Sequence, residues 1–421
     1  MRIGRTLPPV AAPIRWRDLW HGITGMLAPA RAIARFEEEV RRHFAVNHVF
    51  VMSSGTAALT LTLRALRSLS DRTEVVLPAY TCPSIPAAVL EAGLRPRLCD
   101  IDGATFDFDR ARLERTLSAD TLCVIAHDLF GIRADIATIR AMCRDRGIAV
   151  IEDAAQAMGM EDKGEKLGRA GDVGIFSLGR GKTITCGSGG IIVTNSTTIA
   201  GAVAAQYRRL PSPTPFQTLR HIVELVMLAT FIRPRLYWIP AALPWLRLGE
   251  TVVPRQITLA RLSGMQAGLL RDWQRVLVLS NRVRSDAAAY FSRRLRLTPP
   301  AGPSHPYLRL PIFVATPREK ARLYAQSQAR GLGLSVGYPA PINEIPGLRG
   351  AFDDRRFPSA RHVADTLLTL PTHQWLSARD KRAIVDCVTT ASSARFTPWA
   401  KSRSGLPSRS RSTRTPAIRA R

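Results

Sequence analysis

Residues 171–195 read GDVGIFSLGRGKTITCGSGGIIVTN and place one lysine, Lys182, in a glycine-rich connection between two apolar runs. The runs, 173–178 and 190–194, have the length and composition of buried strands. A lysine held between such strands loses part of its hydration, which favours the neutral, nucleophilic form of its amine. Taken alone, the stretch fits a solvated loop lysine better than a reactive one. The rest of the chain reverses that preference.

Length and composition limit the class of protein. The 421 residues, 46% of them hydrophobic, have room for two packed domains. No apolar run reaches the ~18 residues of a membrane-spanning helix, and the N-terminus has no signal-peptide pattern. The six cysteines contain no CxxC pair, which argues against a disulfide framework or a zinc site. These features predict a cytoplasmic protein with reduced thiols and no metal.

The chain is strongly basic, because 60 Lys and Arg residues against 33 Asp and Glu residues give a net charge of +27. A positive field of this size attracts nucleic acid, anionic lipid or phosphorylated small molecules. No nucleic-acid-binding motif and no interleaved aromatic residues accompany it. We therefore expect no nucleic-acid partner, and favour an anionic small molecule or a membrane surface.

The sequence pattern alternates between strands and helices over the first third of the chain. Short apolar strands are predicted at 48–52, 74–77, 97–102, 121–126 and 148–151, with helices between most of them. Such alternation predicts an α/β fold with a mostly parallel central sheet covered on both faces. Ligands of these sheets bind beyond the carboxyl ends of the strands.

That rule brings three short segments together. Gly55 and Thr56 open a helix whose free backbone N–H groups and positive dipole end can hold a phosphate. Asp153 follows an apolar strand, where a buried carboxylate needs a cationic partner, and Gln156 lies just beyond it. Ser177 ends its own strand and could add a hydroxyl to the same phosphate. Each residue also has an ordinary explanation as a cap or turn residue, so only the combination carries the prediction.

These segments carry a resemblance to a known family. The chain resembles the sugar aminotransferases of the DegT/DnrJ/StrS type, which are pyridoxal-phosphate enzymes with the aspartate-aminotransferase-like fold, type I. The resemblance covers roughly residues 36–388. The matching motifs are SGTAAL (54–59), PAYTCPS (78–84), HDLFG (127–131), VIEDAAQAMG (150–159), GDVGIFSLGRGK (171–182), GSGGIIVTN (187–195) and LPTH (370–373).

The resemblance implies the architecture. A large pyridoxal-phosphate-binding domain of residues 1–270 would hold the mostly parallel sheet and carry an apolar insertion at 221–247. A smaller α+β C-terminal domain would follow at 271–397. The last residues, 398–421, are rich in Ser, Arg and Pro, and this composition predicts a disordered basic tail. The resemblance also implies a homodimer with active sites at the subunit interface.

The resemblance implies a role for each site residue. Lys182 would form a Schiff base with the aldehyde of pyridoxal 5′-phosphate, the expected cofactor. Asp153 would pair with the pyridine nitrogen and keep it protonated, so that the ring acts as an electron sink. The other assignments are Gln156 for the ring hydroxyl, Gly55, Thr56 and Ser177 for the phosphate, and Tyr80 and Tyr338 for the substrate.

Three departures from the family pattern affect the surroundings of the cofactor. Cys82 stands where many members have an aromatic residue stacked on the cofactor ring, so the cysteine or its neighbour Tyr80 must serve there. Ser188 replaces the common glutamate before the paired glycines. Asp128 replaces the histidine that usually precedes the Leu-aromatic-Gly turn, and His127 lies one position earlier. The substrate is therefore less well defined by the sequence than the cofactor.

The implied function is transfer of an amino group from an amino acid, with glutamate expected, to a nucleotide-linked keto-sugar. One alternative is a pyridoxal-phosphate sugar dehydratase, although the dehydratases of this family replace the lysine that Lys182 retains. Another is a non-catalytic, membrane-associated protein with the same fold, which the intact set of Asp153, Gln156 and Lys182 opposes. The sequence names neither the sugar nor the carbon that is aminated.

Residues 221–247 form an unusual apolar segment. Two apolar halves flank Arg233 and Arg235, each half is too short to span a bilayer, and prolines interrupt them. Tryptophan beside arginine is typical of segments in the headgroup region of an anionic membrane. One hypothesis is therefore peripheral contact with the inner face of the membrane. The competing interpretation is a packed insertion or a dimer contact.

The C-terminal part of the chain reads as a mixture of helices and strands. A long helix is predicted at 259–294, strands at 307–315 and 332–338, and helices near 318–330 and 377–387. This pattern underlies the α+β class expected for the small domain.

Overall fold

A computed structural model of the protein describes residues 3–246, 252–254, 256–352 and 355–391. The tail predicted to be disordered, 398–421, and the last residue of the apolar insertion, 247, lie outside these ranges. The described chain forms a large open sheet flanked by helices, with a smaller sheet and its helices beside it.

Eleven strands and fourteen helices lie within the described ranges. The strands are β1 His48–Met52, β2 Glu74–Pro78, β3 Arg95–Cys99, β4 Thr121–His127, β5 Ala149–Asp153, β6 Glu161–Asp162, β7 Glu165–Lys166, β8 Val173–Ser177, β9 Gly190–Thr194, β10 Arg309–Phe313 and β11 Leu367–Pro371. The helices are α1 Trp16–Leu27, α2 Pro29–Phe44, α3 Gly55–Arg67, α4 Ser84–Glu91, α5 Arg110–Thr116, α6 Ile136–Arg144, α7 Thr197–Tyr207, α8 Pro215–Phe231, α9 Trp238–Ala241, α10 Gly264–Leu269, α11 Trp273–Leu295, α12 Pro317–Arg330, α13 Pro358–Thr366 and α14 Ala378–Ala391.

Seven strands form the central sheet, in the order β1-β9-β8-β5-β4-β2-β3. Strands β8, β5, β4, β2 and β3 are parallel to one another, and β9 is antiparallel to both of its neighbours. Strands β4 and β9 are buried along their whole length, as expected for strands covered by helices on both faces. The predicted α/β class with a mostly parallel sheet is confirmed.

Four parallel strands direct their carboxyl ends to the same edge of this sheet. Strand β8 ends at Ser177, β5 at Asp153 and β4 at His127, while Thr81 follows the end of β2. The register places His127 directly beside Asp153. Polar side chains from four separate stretches of sequence therefore meet at the edge where ligands of such sheets bind.

The smaller sheet consists of β10 and β11 in antiparallel pairing, with Arg309 opposite Pro371 and Phe313 opposite Leu367. Helix α12 contacts α13, α14 and β11. Apolar residues of this part and of the central sheet belong to one continuous core. The predicted domain boundary at residue 270 falls between α10 and α11, and it stays a prediction.

The single long helix predicted at 259–294 is wrong, because two helices separated by a break occupy this range. Arg261 is extended and bridges Met52 at the end of β1. Helix α10 begins after Ser263, whose Oγ accepts the N–H of Gln266 at 3.2 Å. A side chain that caps the backbone in this way starts a new helix instead of continuing an old one.

The strand predicted at 332–338 is also wrong. Of this range, only Ser335 pairs with the small sheet, through a bridge to Thr369. Gly333 and Gly337 have φ angles of +75° and +70°, which lie outside the β region. The segment is an irregular connection that crosses the edge of β11.

The sequence analysis missed helix α1, which packs closely against the short α10. A Cβ placed on Gly25 would lie 2.4 Å from the carbonyl oxygen of Gly264, and one on Gly268 would lie 2.3 Å from that of His21. These distances are well below van der Waals contact, so the two backbones can approach only at glycine. The contact fixes α1 against the chain that follows the insertion.

An N-terminal segment, residues 5–12, connects distant parts of the molecule. Arg5 forms an ion pair with Asp380 of α14, and the N–H of Leu7 donates to the carbonyl of Gly331 at 2.9 Å. Farther along, Val10 approaches the connection that carries Lys182, since a Cβ on Gly181 would lie 2.7 Å from Val10 Cγ1. The segment therefore reaches from the small sheet's helices to the predicted reactive lysine.

Arg284 holds the middle of this N-terminal segment. It is fully buried on α11, and its guanidinium donates to the carbonyls of Leu308 at 2.7 Å and Ala11 at 3.1 Å and to Thr372 Oγ1 at 3.2 Å. Burial lowers the pKa of Arg284 to about 10. A buried guanidinium whose donors are shared among three chain segments fixes their relative positions.

The apolar insertion folds into α8 and α9, and α8 packs on the lysine-bearing connection. Leu225 and Ala229 of α8 are buried, and His221 Nε2 donates to the carbonyl of Cys186 at 2.9 Å. A Cβ on Gly187 would lie 2.9 Å from both His221 and Leu225. One face of α8 is therefore packed. In the part of the chain that the structure describes, no helix is both long and apolar enough to cross a bilayer.

We expect Gly268→Ala to destabilise the protein, although alanine is normally the better helix former. The added methyl group would lie 2.3 Å from the carbonyl oxygen of His21, and relieving such an overlap costs about 1–3 kcal/mol. Denaturant unfolding followed by circular dichroism measures the loss in the free energy of unfolding.

The matched control for this substitution is Gly201→Ala in α7. No atom lies within 4 Å of a Cβ placed on Gly201, so alanine should stabilise its helix by up to about 1 kcal/mol. If both substitutions stabilise the protein, the close packing of α1 on α10 is contradicted.

Candidate active site

The first turn of α3 lies against the end of β8. A Cβ placed on Gly55 would lie 2.8 Å from Cβ and 3.0 Å from Oγ of Ser177. Gly55 and Thr56 are the first two residues of α3, so their N–H groups have no acceptor within the helix. Ser177 Oγ also accepts the N–H of Gly179 at 3.3 Å. The three residues predicted to hold the phosphate are therefore together, at a helix N-terminus that favours anions.

Lys182 lies in a tight turn after β8, with its N–H donating to the carbonyl of Gly179 at 3.2 Å. Its side chain is half-buried. Burial lowers the pKa of the Lys182 amine; Cys82 and Asp153 oppose this shift, and the charge of Arg309 adds to it. The neutral amine is the form that attacks a carbonyl. The environment of Lys182 therefore favours the neutral, nucleophilic amine, as the sequence analysis predicted for a lysine between two buried strands.

Asp153, at the end of β5, is 5% exposed. Its Oδ1 accepts the N–H of Ala155 at 3.0 Å, and none of the residues that the structure describes forms an ion pair with it. A buried carboxylate that is not fully satisfied requires a cationic or donor partner. This position fits the protonated nitrogen of a pyridine ring.

Gln156 belongs to a buried hydrogen-bond network. Its Oε1 accepts the N–H of Phe130 at 3.2 Å, and its Nε2 donates to Tyr338 Oη at 3.2 Å and lies 3.4 Å from His127 Nε2. Thr81 Oγ1 lies 2.7 Å from His127 Nδ1. Burial lowers the pKa of His127, which favours a neutral imidazole with Nε2 accepting from Gln156 and Nδ1–H donating to Thr81. The network holds the amide of Gln156 in one orientation beside Asp153.

The two candidate substrate residues occupy different places. Tyr338 lines the cavity beside the lysine-bearing connection. Tyr80 is 1% exposed, and its hydroxyl accepts the N–H of Tyr338 at 3.0 Å and donates to the carbonyl of Tyr338 at 3.3 Å. A hydroxyl engaged by the backbone on both sides does not face a substrate. Tyr80 is therefore a positioning residue for Tyr338 and not part of the cavity wall.

A cavity of about 620 Å³ opens beside the connection that carries Lys182, and its lining includes Cys82, Arg180, Gly181 and Arg309. Cys82, which the family resemblance places at the face of the cofactor ring, is half-buried, and its Sγ lies 2.9 Å from Ser84 Oγ. The side chain of Cys82 can therefore contact a ligand in the cavity. It offers a thiol at the position where the family resemblance leads one to expect an aromatic ring.

The sequence analysis missed Arg309, the first residue of β10. Its Nη1 donates to Ser335 Oγ at 3.3 Å, its guanidinium carbon lies 5.5 Å from the centre of the Phe130 ring, and its Nε is buried without a partner. In the described ranges no carboxylate pairs with it. Arg309 therefore brings a positive charge to the cavity that is available to an anion. A lone arginine in the apolar run 307–313 was the available signal.

Asp128 and Glu152 form a buried carboxyl pair behind the site. The Glu152 carboxylate accepts three backbone N–H groups of the turn 168–171, at 2.6 to 3.1 Å. Asp128 Oδ1 accepts the N–H of Ala134 at 2.9 Å, and its Oδ2 is buried. Burial and the charge of Glu152 raise the pKa of Asp128 well above its usual range. Both effects favour the protonated form of Asp128 beside the Glu152 carboxylate.

A sequence profile of the DegT/DnrJ/EryC1/StrS aminotransferase family matches residues 24–228 and 249–389. The two matched segments make up most of the chain and contain every predicted site residue. The chain belongs to this family. The predicted family is confirmed, and the match is interrupted at residues 229–248, a stretch that overlaps most of the apolar insertion.

Two curated relatives show the range of similarity within this family. The UDP-N-acetyl-3-dehydro-alpha-D-glucosamine 3-aminotransferase of Acidithiobacillus ferrooxidans is 29% identical over 343 residues, which are 80% of this chain and 82% of that protein. The GDP-perosamine synthase of Vibrio cholerae is 35% identical over 164 residues, 39% of this chain and 44% of that protein. Apart from the first of these, the chain spans about half the length of the curated relatives it matches, or less.

A solved structure links this fold to its cofactor. NtdA from Bacillus subtilis with bound pyridoxamine phosphate matches with a TM-score of 0.69 and 19% identity, over 90% of this chain and 82% of that chain. The predicted pyridoxal-phosphate fold, type I, is thereby confirmed, and pyridoxal 5′-phosphate is the cofactor of this family. The residues that the sequence analysis predicted for the cofactor meet at one edge of the sheet: the α3 N-terminus, Asp153 at the end of β5 and Lys182 after β8.

We expect Asp128→Asn to raise stability at neutral and alkaline pH. The pKa of Asp128 in the folded protein lies above the unfolded value of about 3.9. Native stability therefore falls as the pH rises between the two values, because the unfolded chain releases the proton first. Asparagine keeps a donor toward Glu152 without titrating. The melting temperature of the variant should exceed that of the wild type at pH 8, and the difference should shrink toward pH 4.

Asp120→Asn is the control with the opposite sign. Hydrogen bonds from the hydroxyl and N–H of Thr73, together with Arg95, lower the pKa of Asp120. Its contribution to stability is therefore present above about pH 3.9 and lost as the pH falls. If Asp128→Asn destabilises the protein at pH 8 as Asp120→Asn should, the protonated state assigned to Asp128 is incorrect.

Proposed function

We propose that the protein is a pyridoxal-phosphate-dependent aminotransferase that moves an amino group from glutamate to the keto group of a nucleotide-linked sugar. The observation that carries this proposal is the half-buried Lys182 amine, with its lowered pKa, beside Asp153 and the free N–H groups of α3. Relatives named GDP-perosamine synthase and UDP-N-acetyl-3-dehydro-alpha-D-glucosamine 3-aminotransferase support the substrate class.

Each site residue has a defined task in this reaction. When bound, pyridoxal phosphate supplies an electron sink that acidifies the Cα–H bond of the amino donor. Gly55, Thr56 and Ser177 hold the phosphate, and the carboxylate of Asp153 keeps the ring nitrogen protonated. The Lys182 amine would hold the aldehyde end of the cofactor, and as a free amine it would act as the base that moves a proton at the Cα of the donor. Its lowered pKa suits both tasks.

Two arginines that line the cavity supply positive charge for the two anionic substrates. Arg309 is half-buried near Lys182, whereas Arg180 is exposed at the opening. Within the described part of the chain, neither guanidinium pairs with a carboxylate. A guanidinium binds carboxylates and phosphates through paired N–H groups. We assign Arg309 to the carboxylate of the amino donor and Arg180 to the diphosphate of the nucleotide-linked sugar.

We also propose the homodimer that the family resemblance implies. Helix α1 supports an interface, because Trp16, Trp20 and Leu27 are 57%, 64% and 84% exposed. Large apolar side chains grouped on one helix are typical of surfaces that are covered by a partner.

The dehydratase alternative receives less support than aminotransfer. Lys182 is retained, and burial lowers the pKa of its amine. A lysine in that state can return the proton to the cofactor carbon, which is the step that amino transfer requires. A non-catalytic role is also less well supported, because the buried carboxylate of Asp153 is suited to pair with a cationic ligand group.

We expect the purified protein to be yellow and, after borohydride reduction, to carry a pyridoxyl group on Lys182 that peptide mapping can locate. Lys182→Ala should lose both the reducible chromophore and amino transfer to a panel of nucleotide-linked keto-sugars with glutamate as donor. Absorption spectra and the transfer assay measure the two losses.

Lys320 is the internal control for this mapping. Burial lowers the pKa of Lys320 to about 8. Its Nζ, however, already donates to the carbonyl of Val336 at 3.1 Å, and the residue lies on α12, beside the small sheet. It should therefore stay unlabelled. A pyridoxyl group on Lys320, or a reducible chromophore that survives in Lys182→Ala, contradicts the assignment.

We further propose peripheral contact with an anionic membrane through the insertion. Trp245 of the insertion is 72% exposed, and Phe216 and Leu219, in the part of α8 that precedes the insertion, are 74% and 60% exposed. Another face of α8 is packed. Apolar and aromatic side chains beside basic residues favour the headgroup region. The net charge of +27 adds an attraction that salt screens. Such contact would hold the enzyme at the inner face of the membrane.

Flotation with anionic lipid vesicles tests this contact. The wild type should float at low salt and be released as salt is raised, and Phe216→Ser combined with Trp245→Ser should abolish flotation. Leu90→Ser, which changes a residue that is 41% exposed on α4, is the control and should float like the wild type. A wild-type protein that stays in the soluble fraction at low salt excludes the membrane contact.

A further inference from the structure

The active-site cavity has a second, apolar half. From the arginine end it extends to a wall that the insertion contributes, formed by Val223, Met227, Leu228, Phe231, Ile232 and Pro240. We propose that this apolar half binds an aliphatic chain carried by the keto-sugar that accepts the amino group. The inference rests on the proposed amino transfer and narrows its substrate class.

The apolar wall is a rigid part of the site. Val223, Met227 and Phe231 are four residues apart on α8, so they lie on one side of the helix. The opposite side is fixed, because Leu225 and Ala229 are buried and His221 donates to the lysine-bearing connection at 2.9 Å. The wall and Lys182 are therefore held by the same stretch of backbone.

Apolar side chains of this wall are open to the cavity. Val223 is 55% exposed and Met227 is 51% exposed, and both line the cavity. Removing apolar surface from water is favourable, so a ligand that covers these side chains with apolar groups gains binding free energy. An aliphatic chain of the substrate would cover these side chains without leaving a buried polar group unsatisfied.

Charged and apolar side chains reach the cavity from different elements. Arg180 follows β8 and Arg309 begins β10, whereas Glu224 is the carboxylate on the insertion side and is paired with Arg220 at 3.6 Å. A nucleotide, which is polar on most of its surface, complements the arginine end and not the apolar wall. A substrate with an anionic group at one end and an aliphatic chain at the other complements both.

Part of the apolar wall lies outside the region that matches the family profile. The family profile stops at residue 228 and resumes at 249, so the distal part of the wall, including Phe231 and Pro240, lies outside it. A group that this part of the wall contacts is therefore a substituent particular to the substrate of this chain. Both an acyl group on the sugar and an isoprenoid carrier would supply an aliphatic chain.

The decisive measurement is kcat/KM for glutamate-dependent amino transfer to nucleotide-linked keto-sugars with N-acyl groups from acetyl to octanoyl. Each buried methylene should raise kcat/KM by about threefold to fourfold until the cavity is filled. The gain should come through KM, because the chain binds the ground state and the transition state equally. A keto-sugar on a short isoprenoid diphosphate is the second arm, and a higher kcat/KM there identifies the carrier as the source of the chain.

Met227→Ser and Leu219→Ser form a matched pair on α8. Met227 lines the cavity, whereas Leu219 is 60% exposed and does not. Met227→Ser should lower kcat/KM for the octanoyl substrate by about tenfold and leave the acetyl substrate nearly unchanged, with kcat unaffected. Leu219→Ser should behave like the wild type with both substrates.

Calorimetry of alkyl glucosides below their micelle concentration provides a readout that does not need turnover. Binding to the cofactor-loaded enzyme should tighten from ethyl to octyl glucoside, and Met227→Ser should remove most of that gain. Equal binding of the two glucosides, or kcat/KM values that do not depend on chain length, overturns the inference. If instead no keto-sugar is aminated while octyl glucoside still binds tightly, the proposed reaction fails and the aliphatic site stands.

Discussion

The site depends on a close approach of backbones that only glycine permits. A Cβ on Gly190 would lie 2.2 Å from the carbonyl oxygen of Ser54, and one on Gly55 would lie 2.8 Å from Ser177. These contacts press the first turn of α3 against the ends of β8 and β9. The free N–H groups of α3 and the connection that carries Lys182 therefore share one edge of the sheet. Any Cβ at these positions would separate the phosphate site from the lysine.

The connection that carries Lys182 contacts both the central sheet and the insertion. On one side it presents Lys182 to the carboxyl ends of the strands, and on the other Gly187 accepts α8, whose His221 and Leu225 would lie 2.9 Å from a Cβ placed there. An insertion that packs directly on the turn that carries Lys182 can form a wall of the cavity without disturbing the sheet. Helix α8, which leads into the part of the chain outside the family match, thus contacts the lysine-bearing connection at Gly187.

The sequence is sufficient to predict those site residues that belong to local motifs. Gly55 starts a helix, Ser177 ends a strand and Lys182 follows that strand in the next turn, so the strand pattern places them together once a parallel sheet is recognised. Arg309 could not be assigned in this way, because the antiparallel pair β10–β11 brings it to the cavity from a distant part of the chain. The role of Tyr80 depends on a tertiary hydrogen bond to the backbone of Tyr338. Helix α1 depends on its contact with α10.

The exchange of a histidine for Asp128 is explained by the alternation of side chains along an extended chain. His127 ends β4 beside Asp153 and reaches the Gln156 network, so the next residue must turn toward the other side. There Asp128 meets Glu152, which already accepts three backbone N–H groups. A second ionised carboxyl would be unfavourable at this point, and protonation of Asp128 removes the conflict. The departure from the family pattern therefore changes the layer behind the cofactor and leaves the contacts of Asp153 and Gln156 in place.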